Sequence, residues 1–220
     1  MRGEKRQFAV IGLGRFGSSV ALTLHSLGHD VLAIDSSEEQ VQRLSDQVTH
    51  VVQADTTDEN ALHALGLRNF DAVVVAIGED VQANVATTLL LKEMGLPYIV
   101  AKARNALHGK MLEKIGADRV VYPERDMGQR VAHSLISSNV LDYIELSPEL
   151  SLVEVTVPAV LAGKTLQQAN MRVLYGVNVV AIKRFDNLIV PPQPQEQIHE
   201  SDILIVIGST EGIKRLENLV

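Results

Sequence analysis

The 220-residue chain contains no cysteine and no tryptophan, and aromatic residues make up only 4% of it. Without cysteine there are no disulfides, zinc–thiolate centres or thiol nucleophiles, which fits a reducing compartment. With 46% hydrophobic residues and so few rings, the core has to be aliphatic, the composition of strands buried on both faces. A basic surplus is also missing. The formal net charge is -7, so counterion release offers no general attraction to nucleic acid, and none is expected as a partner. No apolar run approaches the roughly 20 residues that span a bilayer. The N-terminal MRGEKRQ leads into the first strand without a signal-like segment. A cytoplasmic chain without direct membrane insertion is the expectation, so any link to a membrane has to come through a partner.

Several catalytic signatures are absent as well. The seven histidines form no H-E-x-x-H spacing, and there is no G-x-S-x-G elbow and no G-x-x-x-x-G-K phosphate loop. No pair of titratable groups stands out as acid and base. The residues point to a chain that binds a ligand and is not an enzyme.

What the chain does have is concentrated between Phe8 and Asp35, FAVIGLGRFGSSVALTLHSLGHDVLAID. An apolar strand meets a glycine turn, Gly12, Gly14 and Gly17 in G-x-G-x-x-G spacing, which opens a helix that returns to a second strand ending in Asp35. The spacing assigns the glycines a tight turn, close backbone approach to a phosphate, and close packing of helix on strand. The N–H groups and positive dipole end of that helix would face the phosphate. Asp35 would hold a ribose hydroxyl and disfavour a 2′-phosphate. Arg15 and Phe16 lie inside the turn. A cation at a helix N-terminus opposes the dipole, so phosphate contact is the functional reading of Arg15, and a solvated surface arginine is the bland one.

Further along, short β-branched runs alternate with helical stretches. Ser36-Ser37-Glu38-Glu39 has the pattern of a capping box for a helix through Leu44. Strands are expected at His50–Gln53, Ala72–Ala76, Tyr98–Lys102 and Arg119–Tyr122, with Asp58 capping the helix that follows the first of them. This alternation predicts a Rossmann-like, doubly wound parallel sheet, whose ligands sit beyond the carboxyl ends of its strands. Gly12, Asp35, Asp55, Ile77 with the adjoining Gly78, Lys102 and Glu124 then form one rim. Asp55 could contact base or ribose, and Lys102 could reach phosphates or be an ordinary strand-edge lysine. Glu124 could help hold a divalent cation such as magnesium against phosphates, or simply complement a helix dipole.

After Pro123, Asp126 is expected to cap a helix running to about Ser138, with an apolar stripe of Met127, Val131, Leu135 and Ile136. The stripe suits a core or a docking surface equally. Beyond Val140, five short strands and small helices near Thr165–Ala169 and Glu211–Leu216 predict a small α+β C-terminal domain.

These segments carry a family resemblance. FAVIGLGRFG, VLAID, VVAIGEDVQANVATTLLLKEMG and LEKIGADRVVYPERDMGQRVA, with LAGKTL, YGVNVVAIKR and DILIVIGS in the second domain, resemble the RCK (KTN, TrkA-N plus TrkA-C) proteins. These are the cytosolic regulatory subunits of bacterial Ktr-type potassium uptake channels. The resemblance implies an N-terminal domain over residues 1–140, including a crossover helix at about 124–139, and a C-terminal domain over 141–220. It implies dimers swapped through that helix, assembled as an octameric ring beneath a KtrB-type membrane channel subunit, with ATP activating and ADP favouring the inactive state. The glycines would cradle phosphates, and Arg15 would reach the terminal phosphate of a neighbouring subunit's ATP. Lys102 would lie near the phosphates, and Glu124 would place the divalent cation. Cyclic di-AMP in the C-terminal domain would be met by Leu166, Arg172, Asn178, Val179 and Pro194. The glycine turn and Asp35 would serve NAD(H) equally well, so an NAD-dependent oxidoreductase or an NADH-sensing regulator is the alternative.

Overall fold

A computed structural model of the chain describes residues 4–136 and 139–219. They form two compact units, Met1–Pro123 and Glu124–Val220. In the first, strands β1 (Gln7–Ile11), β2 (Asp30–Asp35), β3 (His50–Gln53), β4 (Ala72–Val75), β5 (Ile99–Lys102) and β6 (Arg119–Val121) make one sheet in the order β3-β2-β1-β4-β5-β6. Every neighbouring pair is parallel. Parallel neighbours need crossovers. Helices α1 (Arg15–Ser26), α2 (Glu38–Leu44), α3 (Glu59–Ala64), α4 (Val81–Glu93) and α5 (Ala106–Lys114) supply them.

The period-two geometry of a strand sends alternate side chains to opposite faces, so both faces must be apolar if both are covered. Ala9, Ile11, Ile34, Val73 and Val75 join Leu62, Leu91 and Leu112 in one core. Val10, Val31, Ala33 and Val74 join Ala21 and Leu44 in another on the opposite face. The expected aliphatic, two-faced sheet is what forms. Strand order reverses between β1 and β4, the switch point at which such sheets open a crevice.

The second unit opens with α6 (Pro123–Ile136), which has no buried residue. The helix starts at Pro123, three residues before the expected cap Asp126, because proline's fixed φ and missing N–H suit a first helical position. The expected end at Ser138 lies outside the described residues. Met127 and Val131 are about half exposed, and Leu135 and Ile136 are 80% and 85% exposed. Nothing within the chain covers the stripe among the described residues. Arg130 holds Asp142 with both carboxylate oxygens, at 2.9 and 2.6 Å, and these bonds keep the Asp142 carboxyl below its ordinary range.

Five strands follow, β7 (Val140–Ser147), β8 (Leu150–Thr156), β9 (Val177–Arg184), β10 (Asn187–Ile189) and β11 (Ile203–Ser209). They form an antiparallel sheet in the order β10-β9-β11-β8-β7. β8 and β11 alternate buried and part-exposed positions, as a sheet with one packed face must. Val153, Val155, Leu204 and Val206 pack with Ala169, Met171, Ile213 and Leu216 from α7 (Leu166–Ala169), α8 (Met171–Leu174) and α9 (Thr210–Glu217). Sequence reading expects one helix before β9, and the chain makes two. Asn170 separates them in the left-handed region, at φ 44°, a conformation its short polar side chain tolerates.

His108, on α5, is only 2% exposed. Its Nδ1 accepts the Arg104 N–H, and burial pushes the imidazole below its ordinary value of 6.5. The fold therefore favours the neutral ring. The stability this contributes is complete above pH 6.5 and is lost as pH falls below it, because the unfolded chain then binds the proton more readily. A His108→Asn variant, which keeps an acceptor for the Arg104 N–H, is predicted to lose less stability than the parent between pH 7.5 and pH 5.5 in urea titrations, and equal losses would contradict this.

Candidate functional site

The three glycines of the turn do different work. Gly12, with φ 91°, is the carboxyl-side continuation of β1, and a Cβ there would lie 2.8 Å from the Ile77 nitrogen. A Cβ on Gly17 would run into the Gly12 carbonyl oxygen, so this glycine is what lets α1 seat against the strand. Gly14 has an extended backbone, and a Cβ on it would meet nothing within 4 Å. It caps α1 and leaves the outer side of the turn open to a ligand.

The turn is braced through the Leu13 peptide. Its N–H donates to Asp35 Oδ2 at 2.6 Å, and its carbonyl accepts from Ser18 Oγ at 2.7 Å and Arg43 Nη2 at 2.8 Å. Arg43 also donates to Ser18 Oγ at 3.2 Å. The other Asp35 oxygen accepts the Ser37 N–H at 2.8 Å. Asp35 thus organises the backbone at the ends of both β1 and β2. The capping box expected at Ser36–Glu39 does not form. The helix starts one residue later than that pattern requires, with Ser37 as its N-cap and no side-chain cap bond, and the Ser37 N–H goes to the Asp35 carboxylate.

Arg15 is the first residue of α1, exposed beside Gly14, and no ion pair engages it among the described residues. The first turn of α1 holds no acidic residue. On the β4 and β5 side, a Cβ on Gly78 would lie 3.1 Å from Lys102 Nζ, so the lysine side chain crosses the Gly78 backbone. The same ammonium stands 6.0 Å from the centre of the Phe16 ring. Asp55, following β3, folds back on itself: Oδ1 accepts the Thr57 hydroxyl at 2.7 Å and its N–H at 2.9 Å, which lowers the carboxyl's pKa. Asp58 caps α3, as its sequence context predicts. Gly12, Gly14, Arg15, Phe16, Gly17, Asp35, Asp55, Ile77, Gly78 and Lys102 all fall in the first unit, whereas Glu124 is an exposed residue in the first turn of α6 and belongs to the second.

Two residues of this site escape sequence reading. Asn84, fully buried on α4, donates to the Ile77 carbonyl at 2.6 Å and the Lys102 carbonyl at 3.1 Å, tying the ends of β4 and β5 together. The run of polar Asn84, Thr87 and Thr88 on one side of an otherwise aliphatic helix is the signal that marks it. Arg43 sits on the exposed side of a short helix, and nothing local distinguishes it from a solvated arginine.

The second unit holds a cavity of about 490 Å³ between the α7–α8 segment, the start of β9 and the proline-rich loop. Leu166, Arg172, Asn178, Val179 and Pro194 all line it. No group of three or more His, Cys, Asp or Glu side chains suited to a metal ion occurs among the described residues. No helix of the described residues is long and apolar enough to cross a membrane.

The contrast among the glycines is testable. Gly17→Ala is predicted to lower the melting temperature by more than about 5 °C, the shift that a loss of roughly 1–2 kcal/mol produces in a domain of this size. Gly14→Ala should leave it unchanged within error, and equal effects on thermal unfolding would refute the assignment.

Comparison with known proteins is consistent along the whole chain. The TrkA-N domain matches residues 8–123 and the TrkA-C domain residues 150–220. The chain is 53% identical over 216 residues to Ktr system potassium uptake protein C of Bacillus subtilis, covering 98% of both chains. It is 49% identical to Ktr system potassium uptake protein A of the same organism, over 99% of this chain and 98% of that one. Among solved structures, the GsuK channel superposes with a TM-score of 0.73 at 21% identity, covering 99% of this chain and 40% of that one. Two domain matches that together take in both units, and identity near one half over almost the full length, leave one assignment: the chain belongs to the Ktr potassium uptake family of TrkA-N plus TrkA-C proteins.

Proposed function

We propose that this protein is the nucleotide-sensing regulatory subunit of a bacterial potassium uptake channel, with ATP stabilising the activating conformation and ADP the inactive one. The observation that carries the reading is the braced glycine turn, open outward at Gly14 and flanked by the unpaired Arg15, in a chain so close to the Ktr proteins. Phosphates would lie against the backbone N–H groups at the start of α1, where the dipole favours negative charge. Asp35 would hold the ribose. Lys102 would add a positive charge over Gly78, while Phe16, Asp55 and Ile77 border the remaining space.

A ligand moves a two-state equilibrium only by its difference in affinity for the two states. ATP and ADP differ by one phosphate, so the discriminating groups are those placed to meet it. Arg15 is the candidate, because a guanidinium matches phosphate oxygens and this one opposes its own helix dipole when unliganded. At an interface with a second copy of the chain, Glu124 would offer one carboxylate to a divalent cation, as magnesium commonly takes one or two beside phosphate oxygens and water. The apolar stripe of α6 supports a second copy of the chain as its cover, and an octameric ring beneath a KtrB-type channel subunit is the assembly proposed. In the second unit, cyclic di-AMP suits the cavity, with Arg172 and Asn178 offering donors to its phosphates and bases.

Calorimetric titration with ATP, ADP, NAD and NADH tests the choice of ligand. Both adenine nucleotides are expected to bind, and tight NADH with negligible ATP would establish the NADH-sensor alternative. Asp35→Ala is predicted to abolish nucleotide binding, since it removes both the ribose acceptor and the brace on Leu13. Arg15→Ala should retain most of the binding while bringing ATP and ADP affinities to within a few-fold of each other. An Arg15→Ala variant that still separates the two nucleotides as the parent does would sink the terminal-phosphate role.

A further inference from the structure

The cavity in the second unit has one wall of irregular chain. β10 ends at Ile189 and β11 begins at Ile203, and between them Pro192, Pro194 and Gln195 face the cavity. A loop without a ladder needs other anchors. Two come from α7, whose first amides lack intrahelical partners. The Leu166 N–H donates to the Glu196 carbonyl at 3.0 Å, and the Gln167 N–H to the Pro194 carbonyl at 2.8 Å. A short backbone bridge adds to them, Thr165 opposite Gln197, with the Ile198 N–H donating to the Lys164 carbonyl at 2.9 Å and the Gly163 N–H to the Ile198 carbonyl at 2.8 Å. The side-chain anchor is Arg184, the last residue of β9. Its Nη1 donates to Glu196 Oε1 at 3.0 Å and its Nη2 to the Gln197 carbonyl at 2.8 Å.

Arg184 itself is fixed from behind. Nε and Nη2 donate to the two oxygens of Asp202, at 2.8 and 2.9 Å. Asp202 is 1% exposed and also accepts the His199 N–H at 2.8 Å. Burial alone would raise its carboxyl, but the bonds from Arg184 and His199 prevail and hold it below its ordinary range. One guanidinium therefore joins the end of β9, the foot of β11 and the cavity wall, using donors in a fixed fork that a lysine cannot reproduce. Neither Arg184 nor Glu196 lines the cavity.

We infer that Arg184 is the positioning residue of this cavity: through Glu196 and the Gln197 carbonyl it holds residues 191–197 as a pre-formed wall, and so sets ligand affinity there without touching the ligand. The ligand half of the inference rests on the cyclic di-AMP reading above; the positioning half does not. The Asp202 pair alone would fix Arg184 to the sheet. The Glu196 arm adds only the link to the wall, and a wall ordered before binding removes that ordering cost from the ligand.

The test uses the full chain and Glu196→Ala, which removes the arm and leaves the buried Arg184–Asp202 pair intact, whereas Arg184→Met would strand a buried carboxylate and endanger folding. In the absence of ligand, amide exchange at Leu166 and Gln167 is expected to quicken about tenfold, with a fall in melting temperature of no more than a few degrees, the share of that one bond in global stability. Cyclic di-AMP, used as the probe, should bind about tenfold more weakly, the loss expected for one charge-assisted bond, and ATP affinity should not move. Glu196→Gln, which keeps a neutral acceptor, should fall between parent and alanine variant. Unchanged exchange at both amides would overturn the positioning role whatever the ligand. A larger fall in melting temperature with cyclic di-AMP affinity preserved would reduce the cluster to a structural one and also overturn it. If the parent fails to bind cyclic di-AMP, that ligand is wrong, and the exchange measurement alone decides the role of Arg184.

Discussion

The first unit depends on the backbone of a single residue, Leu13. Its N–H side is held by Asp35 and its carbonyl side by Ser18 and Arg43, so the turn carries a bond on each face. Gly12 and Gly17 let the flanking strand and helix close to backbone distance around it. The consequence is a turn whose inner side is packed and whose outer side, at Gly14, is unobstructed. A site of this kind presents N–H groups to a ligand without rearranging, which lowers the ordering cost of binding. Asp35 belongs to the brace and to the proposed ribose contact at once, so fold and binding are coupled at that carboxylate.

The rest of the first unit keeps that crevice in register. Parallel strands bring their carboxyl ends to one edge, and the strand order reverses between β1 and β4, where sheets of this kind bind ligands. Asn84 fastens the ends of β4 and β5 from beneath, a role for a fully buried amide whose two N–H groups both find carbonyls. The second unit solves a similar problem by different means. Its cavity wall is irregular chain, held by a few backbone bonds to residues 163–167 and by a branched ion cluster around Arg184.

Much of this was legible from the residues in order. The six parallel strands follow from short β-branched runs, and their observed limits differ from the expected ones by a residue or so, because ladder partners decide where a strand stops. Asp58 and the two-faced aliphatic core were equally readable, since both depend on local spacing. The capping box at Ser36 failed because the helix begins one residue later, with Ser37 as N-cap, a shift that the local pattern of two adjacent serines does not reveal. The start of α6 at Pro123 and the break at Asn170 were missed for related reasons: a proline reads as a stop as readily as a first turn, and an asparagine does not announce a left-handed backbone. Arg43 and Arg184 lay beyond reach, and the polar run on α4 marks Asn84 without naming its partners. Leu13 is 30 residues from Arg43, and Lys102 is 18 from Asn84, so their roles exist only after the chain has folded.

The proposed function requires an assembly in which nucleotide binding is read out as a change of shape. Small-angle scattering of the purified protein with saturating ATP and with saturating ADP measures that directly. The account predicts one assembly much larger than the 24.0 kDa chain with two distinguishable scattering profiles, one for each nucleotide. Superimposable profiles, with both nucleotides shown to be bound, would contradict it.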